Sequence, residues 1–321
     1  MSGLIEQTNA YKAILSEKKA GSLSHAYLIE CGDELMLKSY LKKIAKLIMC
    51  EEKADGFCGE CRVCKLIEKQ AHPDVSFYPA DGEKLKTAHA DEIVAQTIIK
   101  PLEATKRLFV IDGFEKFEKA QNKLLKTLEE PPENVVLLLG TARQSSILPT
   151  VKSRAKQLEI PPFSNDALFN YFSSECEDKQ KLEMAIALSR GFESGVRENY
   201  FRNDFNEIKN LALTLLAELN TSRDALGVSS KISGVDFNLF ISVLKLVFGE
   251  LLKAKNGLEV KLVEKNLLSG LMEKYETGAI IDIIEGFNKI ERAQHFNANQ
   301  TMTIDRLLFL ILEAKHRWQK L

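Results

Sequence analysis

The chain has 321 residues, enough for two or three domains. Its composition, 45% apolar and 28% charged with 8 prolines and 17 glycines, is that of a globular protein and excludes a disordered or fibrous one. With 44 basic against 45 acidic residues the net charge is −1, which gives no support to a chain that grips nucleic acid extensively by itself; any such contact is local or shared with partners.

The N-terminus, MSGLIEQTNAYKAILSEKKAGSLSHAYLIE, has no basic segment leading into an apolar core, so no signal peptide is expected. No run approaches the ~18–20 apolar residues of a membrane span. Thr8–Lys19 patterns as an amphipathic helix with Tyr11, Ile14 and Leu15 on one side. Gly21–Ser24 breaks it, and Ala26–Ile29 reads as a short apolar strand. A helix from Leu37 to Met49 ends at Cys50.

From there the spacing is Cys50-x7-Cys58-x2-Cys61-x2-Cys64. Four thiolates complete a tetrahedral shell around Zn²⁺, and two-residue gaps let tight turns aim neighbouring sulfurs at one point. Such a site leaves no position open for water, so it is structural. The alternatives are free, partly buried thiols, or a redox pair that overlaps a third and fourth cysteine. Cys31 and Cys176 stand apart, a usage that suits a reducing cytoplasm with a metal site better than a disulfide framework. The loop's acids balance its bases, which favours a fold-stabilising or partner-facing module over a contact with DNA. His72 is not needed as a ligand; His72-Pro73-Asp74 is expected to turn into the strand Val75–Tyr78.

Asp81–Thr87 is polar loop, and Ala90–Ile99 reads as a helix through Ile93, Val94 and Ile98. Leu108–Ile111 and Val135–Leu139 are continuous apolar runs, suited to the middle of a parallel sheet. Between them Phe114, Phe117, Leu124, Leu125 and Leu128 recur at helical spacing until Pro131-Pro132 stops the helix. Strand, crossover helix and strand make a βαβ unit and imply α/β layers. Pro161-Pro162 marks a boundary, after which Asp166–Phe172 and Asp178–Ser189 are helical. From about Phe205 only helices are expected: Phe205–Leu219, Phe237–Lys255, Val260–Tyr275, Ala279–Phe296 and Thr303–Trp318. The breaks fall at Gly227–Gly234, Asn256-Gly257 and Asn297–Thr301.

The string Leu124-Leu-Lys-Thr-Leu-Glu-Glu-Pro-Pro132, the following strand and Ser153-Arg154 resemble the AAA+ core of bacterial DNA polymerase III clamp-loader subunits. His25-Ala-Tyr-Leu28, the four cysteines and His72-Pro-Asp74 extend the resemblance over most of the chain. It implies an α/β AAA+ parallel-sheet domain with a zinc module at residues 1–161, a small helical lid at 162–204, and an all-α collar for oligomerisation at 205–321.

The resemblance also says where a nucleotide site should lie, and there the chain departs from the pattern. Of the glycines of a phosphate-binding loop only Gly32 remains, with Leu35 and Leu37 at the other positions, while Lys38-Ser39 stand where the family has Lys-Thr. Gly113 replaces the glutamate that would orient the attacking water after Asp112, which is read as a turn acid, and Glu115 is a poor substitute. Thr141, at the sensor 1 position, and Arg197, at sensor 2, are read as vestiges. These losses resemble the delta-prime branch of the family.

Ser153-Arg154 matches the dipeptide that supplies an arginine finger to ATP on a neighbouring subunit, with Ala155 where the family has cysteine; the alternative for Arg154 is a surface ion pair. The function implied is a non-hydrolysing clamp-loader subunit, not catalytic alone. Its partners would be gamma/tau and delta subunits, the sliding clamp and primed DNA reached through the complex. The cofactors implied are structural Zn²⁺ in this chain and ATP on its partners. A gamma/tau-like ATPase with a degenerate phosphate loop is the alternative.

Overall fold

The computed structural model describes residues 3–117, 120–294 and 299–319. The chain divides into two compact units, Met1–Tyr171 with Gly191–Ser194, and Phe172–Arg190 with Gly195–Leu321.

In the first unit, strands β1 (Ala26–Cys31), β2 (Val75–Tyr78), β3 (Arg107–Ile111), β4 (Val135–Thr141) and β5 (Lys156–Ile160) form a parallel sheet in the order β2-β3-β4-β1-β5. The helices of this unit are α1 (Asn9–Lys19), α2 (Glu34–Met49), α3 (Arg62–Glu68), α4 (Thr87–Thr97), α5 (Gln121–Glu129), α6 (Pro149–Lys152) and α7 (Asn165–Phe172). Both faces of the sheet are covered, which is why its central strands read as unbroken apolar runs. Tyr27, Ile29, Leu108, Val110, Val136 and Leu138 join Tyr11, Ile14, Leu41 and Ile44 in one core. The alternate residues Leu28, Phe109, Ile111, Leu137 and Leu139 join Phe114, Leu124 and Leu128 in the other. Gly140 lets α2 approach β4 closely, since a Cβ there would lie 2.5 Å from Leu41 Cδ1.

Two expectations for this unit are corrected. No strand was expected at Lys156–Ile160, yet β5 pairs with β1 from Tyr27↔Lys156 to Cys31↔Ile160. It is an edge strand with Lys156, Gln157 and Glu159 exposed, so it carries no apolar run. The crossover helix begins late: Phe114–Phe117 is a single 3₁₀ turn, and α5 starts only at Gln121.

The second unit is helical: α8 (Lys179–Leu188), most of α9 (Glu193–Phe201), α10 (Phe205–Glu218), α11 (Ser222–Ile232), α12 (Phe237–Lys255), α13 (Lys265–Lys274), α14 (Thr277–Gln294) and α15 (Gln300–Gln319). Its core centres on α12, where Phe248 meets Tyr275 edge-on at 5.4 Å and Phe287 at 5.8 Å. The expected break at Gly227–Gly234 is mostly helix. α11 runs through Gly227 because Thr221 and Asp224 close a reciprocal capping box at its start (Thr221 N–H to Asp224 Oδ2, 2.8 Å).

The helix expected from Val260 begins only at Lys265. The preceding segment is tied down by the buried Glu250 carboxylate, which accepts N–H bonds from Lys261 and Leu262 at 3.0 and 3.1 Å. Of the helix expected at Ala279–Phe296, His295 and Phe296 lie outside the described residues, as do Asn297 and Ala298 of the break that follows. No helix among the described residues is long and apolar enough to cross a membrane.

Candidate functional site

In an open parallel sheet the crevice beyond the carboxyl ends of the strands is the natural ligand site. The turn from β1 to α2 lies at that edge. A phosphate cradle needs amides free to wrap an anion, and glycines to let them do so. Here α2 starts at Glu34, so residues 34–39 are helix. Asp33, 3% exposed, caps it, and its own groups take the amides: Met36 N–H and Leu37 N–H bond the Asp33 carbonyl at 3.1 and 3.0 Å. The Asp33 carboxylate shares the same Met36 N–H at 3.4 Å and accepts one from Ser194, in the same unit, at 3.0 Å. Gly32 stays exposed, with the Phe192 ring 3.0 Å from where a Cβ would stand. Next to it Tyr40 donates its hydroxyl to the buried Glu193 carboxylate at 2.9 Å.

The other residues of the family pattern are placed as follows. Lys38 pairs with Asp81 and reaches the Pro79 carbonyl at 3.4 Å, while the neighbouring Ser39 is half-buried. Leu35 is 77% exposed, whereas Leu37 is 1% exposed in the core. Burial raises the Asp112 carboxyl above its usual range, against the pull of Lys38 and Lys116. Gly113 sits at φ +69°, where a glutamate would be strained. Glu115 is buried and accepts Ala142 N–H at 3.4 Å, so its carboxylate is fixed to the end of β4. Thr141 is fully buried and closes a local turn, accepting Arg143 N–H at 3.2 Å and donating to the Arg143 carbonyl at 3.1 Å. Arg197, in the second unit, lies 3.6 Å from Glu175 and over the Phe172 ring.

Arg154 follows the short helix α6. Its Nη2 pairs with Glu129 Oε1 at 2.6 Å, and its Nη1 donates to the Thr150 carbonyl at 2.8 Å and to Ser153 Oγ at 3.1 Å. Glu129 belongs to the same LLKTLEEPP string that carries the family resemblance. Both side chains are well solvated, 33% and 50% exposed, so the pair is worth at most about 1 kcal/mol and is readily exchanged for another anion.

The four cysteines Cys50, Cys58, Cys61 and Cys64 are brought together, their sulfurs all within 4.8 Å of one another. Cys50 Sγ lies 3.8 Å from Cys58 Sγ and 4.0 Å from Cys61 Sγ, and Cys58 Sγ lies 4.0 Å from Cys64 Sγ. A tetrahedron with Zn–S bonds of about 2.3 Å has its sulfurs about 3.8 Å apart, so the donor set fits zinc. Backbone amides already point at sulfur: Cys58, Cys61 and Cys64 donate N–H to Cys50, Cys58 and Cys61 at 3.5, 3.3 and 3.4 Å. The amides of Cys61 and Glu60 bring the Cys58 thiol down to about 6, while burial raises the Cys61 and Cys64 thiols.

Two features were not foreseen. Asp33 had a sequence signal, an aspartate directly before an apolar helical pattern. Asp74 is fully buried and accepts N–H bonds from Leu102, Glu103 and Ala104 at 2.7, 2.8 and 2.9 Å, holding the loop before β3. His72 closes the turn that presents it, accepting Asp74 N–H at 3.1 Å.

Residues 6–164 match the family described as DNA polymerase III, delta subunit. A Haemophilus influenzae protein named DNA polymerase III subunit delta' is 28% identical over 184 residues, 56% of each chain. The Bacillus subtilis subunit of the same name is 23% identical over 324 residues, 96% of this chain and 97% of its own. The matched stretch thus spans little over half of the first relative and nearly all of the second. A Thermotoga maritima structure described as a gamma subunit-related protein of DNA polymerase III aligns over 98% of this chain at 18% identity and a TM-score of 0.46.

Proposed function

The chain belongs to the DNA polymerase III clamp-loader family, and on that premise we propose that it is a delta-prime-like subunit that does not hydrolyse ATP itself. It works as part of a complex with gamma/tau and delta subunits in the cytoplasm and helps place the sliding clamp on primed DNA. Residues 1–161 form its AAA+ domain, 162–204 its lid and 205–321 its collar. Zn²⁺ is held by Cys50, Cys58, Cys61 and Cys64 as a structural ion. Arg154, with Ser153 beside it, is offered to ATP on a neighbouring subunit.

One observation carries the reading: the Asp33 carboxylate stands at the start of α2, where a nucleotide phosphate would have to bind. A carboxylate there repels phosphate, and the Met36 and Leu37 amides behind it are already engaged. The loss of the glutamate at position 113 points the same way. Calorimetric titration of the purified chain with ATP and Mg²⁺ tests this. No heat of binding is expected up to millimolar nucleotide, and micromolar binding would return the chain to the ATPase class.

A further inference from the structure

We infer that Lys18 is a positioning residue of the cysteine site, holding its first arm in place before metal arrives and offsetting its negative charge afterwards. The inference rests on the zinc reading above. Lys18 lies on α1, thirty-two residues before Cys50, and its Nζ donates to the Cys50 carbonyl and, at 3.3 Å, to the Gly56 carbonyl. These two carbonyls bracket the segment between the first and second cysteines. Most of that segment has no core of its own: residues 51–55 are exposed, Gly56 is buried, and Phe57, just before Cys58, is half-buried against the core that includes Tyr11 and Ile14. Gly56 adopts φ +139° and lies so near α1 that a Cβ there would be 3.0 Å from the Tyr11 hydroxyl.

One ammonium group therefore ties the Cys50 carbonyl to that of Gly56 across residues 51–55, which apolar packing does not hold, and with Phe57 anchoring the far end it sets where Cys50 points. Four thiolates around a divalent cation leave two units of negative charge, and Lys18 is the α1 cation in direct contact with the module's backbone there. Lys19 is the internal comparison, because its partner Asp55 is 76% exposed and bonds to no cysteine.

The test is zinc affinity of the full chain by competition with a chromophoric chelator, together with the thiolate-to-metal absorption of the cobalt(II) form. Lys18→Met keeps the aliphatic stem, so a role confined to packing would leave affinity unchanged; the inference expects a loss of about 10- to 100-fold. Lys18→Arg, which keeps the charge and the donors, should recover most of it, and Lys19→Met should stay within about twofold of the unaltered chain. Should Lys18→Met not fold, Lys18→Gln carries the same comparison. Equal affinity in Lys18→Met, or an equal loss in Lys19→Met, would overturn the inference alone. Failure of the unaltered chain to bind zinc would overturn the zinc reading with it.

Discussion

Replacing Arg154 by alanine separates its two possible roles, because they differ in size by several orders of magnitude. Within the chain, Arg154 gives up a 2.6 Å pair to Glu129 and a 2.8 Å bond to the Thr150 carbonyl, both at a solvated surface. Screening limits that loss to about 1 kcal/mol, a fall in melting temperature of roughly 2–4 °C for a domain of this size. An arginine supplied in trans to a transferring phosphoryl group contributes about 10³–10⁵ in turnover, or roughly 4–7 kcal/mol of barrier. Leaving Glu129 costs at most about a quarter of the smaller figure, so the guanidinium can move to a phosphate with most of that energy intact. The assay is clamp- and DNA-stimulated ATP hydrolysis by a loader reconstituted with gamma/tau and delta subunits, alongside thermal melting of the isolated chain. Arg154→Ala should silence the one site it serves, lowering total turnover by that site's share, and leave the melt nearly unchanged. Glu129→Ala should leave turnover at or above the original level. Full turnover by a complex that demonstrably contains Arg154→Ala would refute the finger assignment.

Two further perturbations probe the frame around the site. Asp74→Asn presents an amide where three backbone N–H groups need an acceptor, and should cost about 3 kcal/mol in urea denaturation. Burial pushes the Asp74 carboxyl up, but its three amide bonds prevail and hold its pKa below the usual carboxylate range. Its stabilisation is therefore present above about pH 4 and lost as pH falls further. Burial likewise lowers His72, whose contribution is present above about pH 6.5 and lost below it, so stability should fall in two acid steps, of which Asp74→Asn removes the lower. Urea midpoints between pH 7 and 3 that match in the two proteins would contradict this. Gly140→Ala places a methyl 2.5 Å from Leu41 Cδ1, so the buried Leu41 side chain or α2 itself must shift, at a cost of about 1–3 kcal/mol; an unchanged denaturation midpoint would show that this packing between α2 and β4 is not tight.

What was legible in the sequence follows a physical line. Strands buried on both faces were visible as Ala26–Ile29, Leu108–Ile111 and Val135–Leu139, because burial on two sides demands unbroken apolar runs. The edge strand β5 escaped, since backbone pairing alone holds Lys156, Gln157 and Glu159 and leaves their side chains in water. The helix α11 escaped because Gly227 suggested a break, while its capping box, worth about 1 kcal/mol, offsets the roughly equal loss from one helical glycine. The cysteine cluster was legible because all four ligands fall within fifteen residues. Lys18 was not, because nothing local links it to Cys50; only the fold brings a side chain thirty-two residues away onto that carbonyl. Arg154 was placed by family likeness, and its partner Glu129 emerged only from the packing of α5 beside α6.

The missing glycines were expected to be simple losses; on the proposed reading, one of the two positions that leucine fills has been put to other use, while Leu35 is left exposed. Leu37 stands where a cradle glycine would be, and it is 1% exposed among Tyr40, Leu41 and Ile44. Returning it to glycine would open a cavity costing about 3–5 kcal/mol and add about 1 kcal/mol for a glycine within a helix. Removing Asp33 to admit phosphate would take about 1 kcal/mol of capping from α2. A glutamate at position 113 would meet a left-handed backbone, a strain of about 1–2 kcal/mol. Together these approach the whole stability of a typical domain, about 5–15 kcal/mol. No single substitution reopens such a site, because the leucine, the aspartate and the positive φ lie at separate positions and each carries its own cost. Arg154 depends on none of those positions. On the proposed reading, a chain built this way keeps its part in nucleotide chemistry only through what it extends to a neighbour.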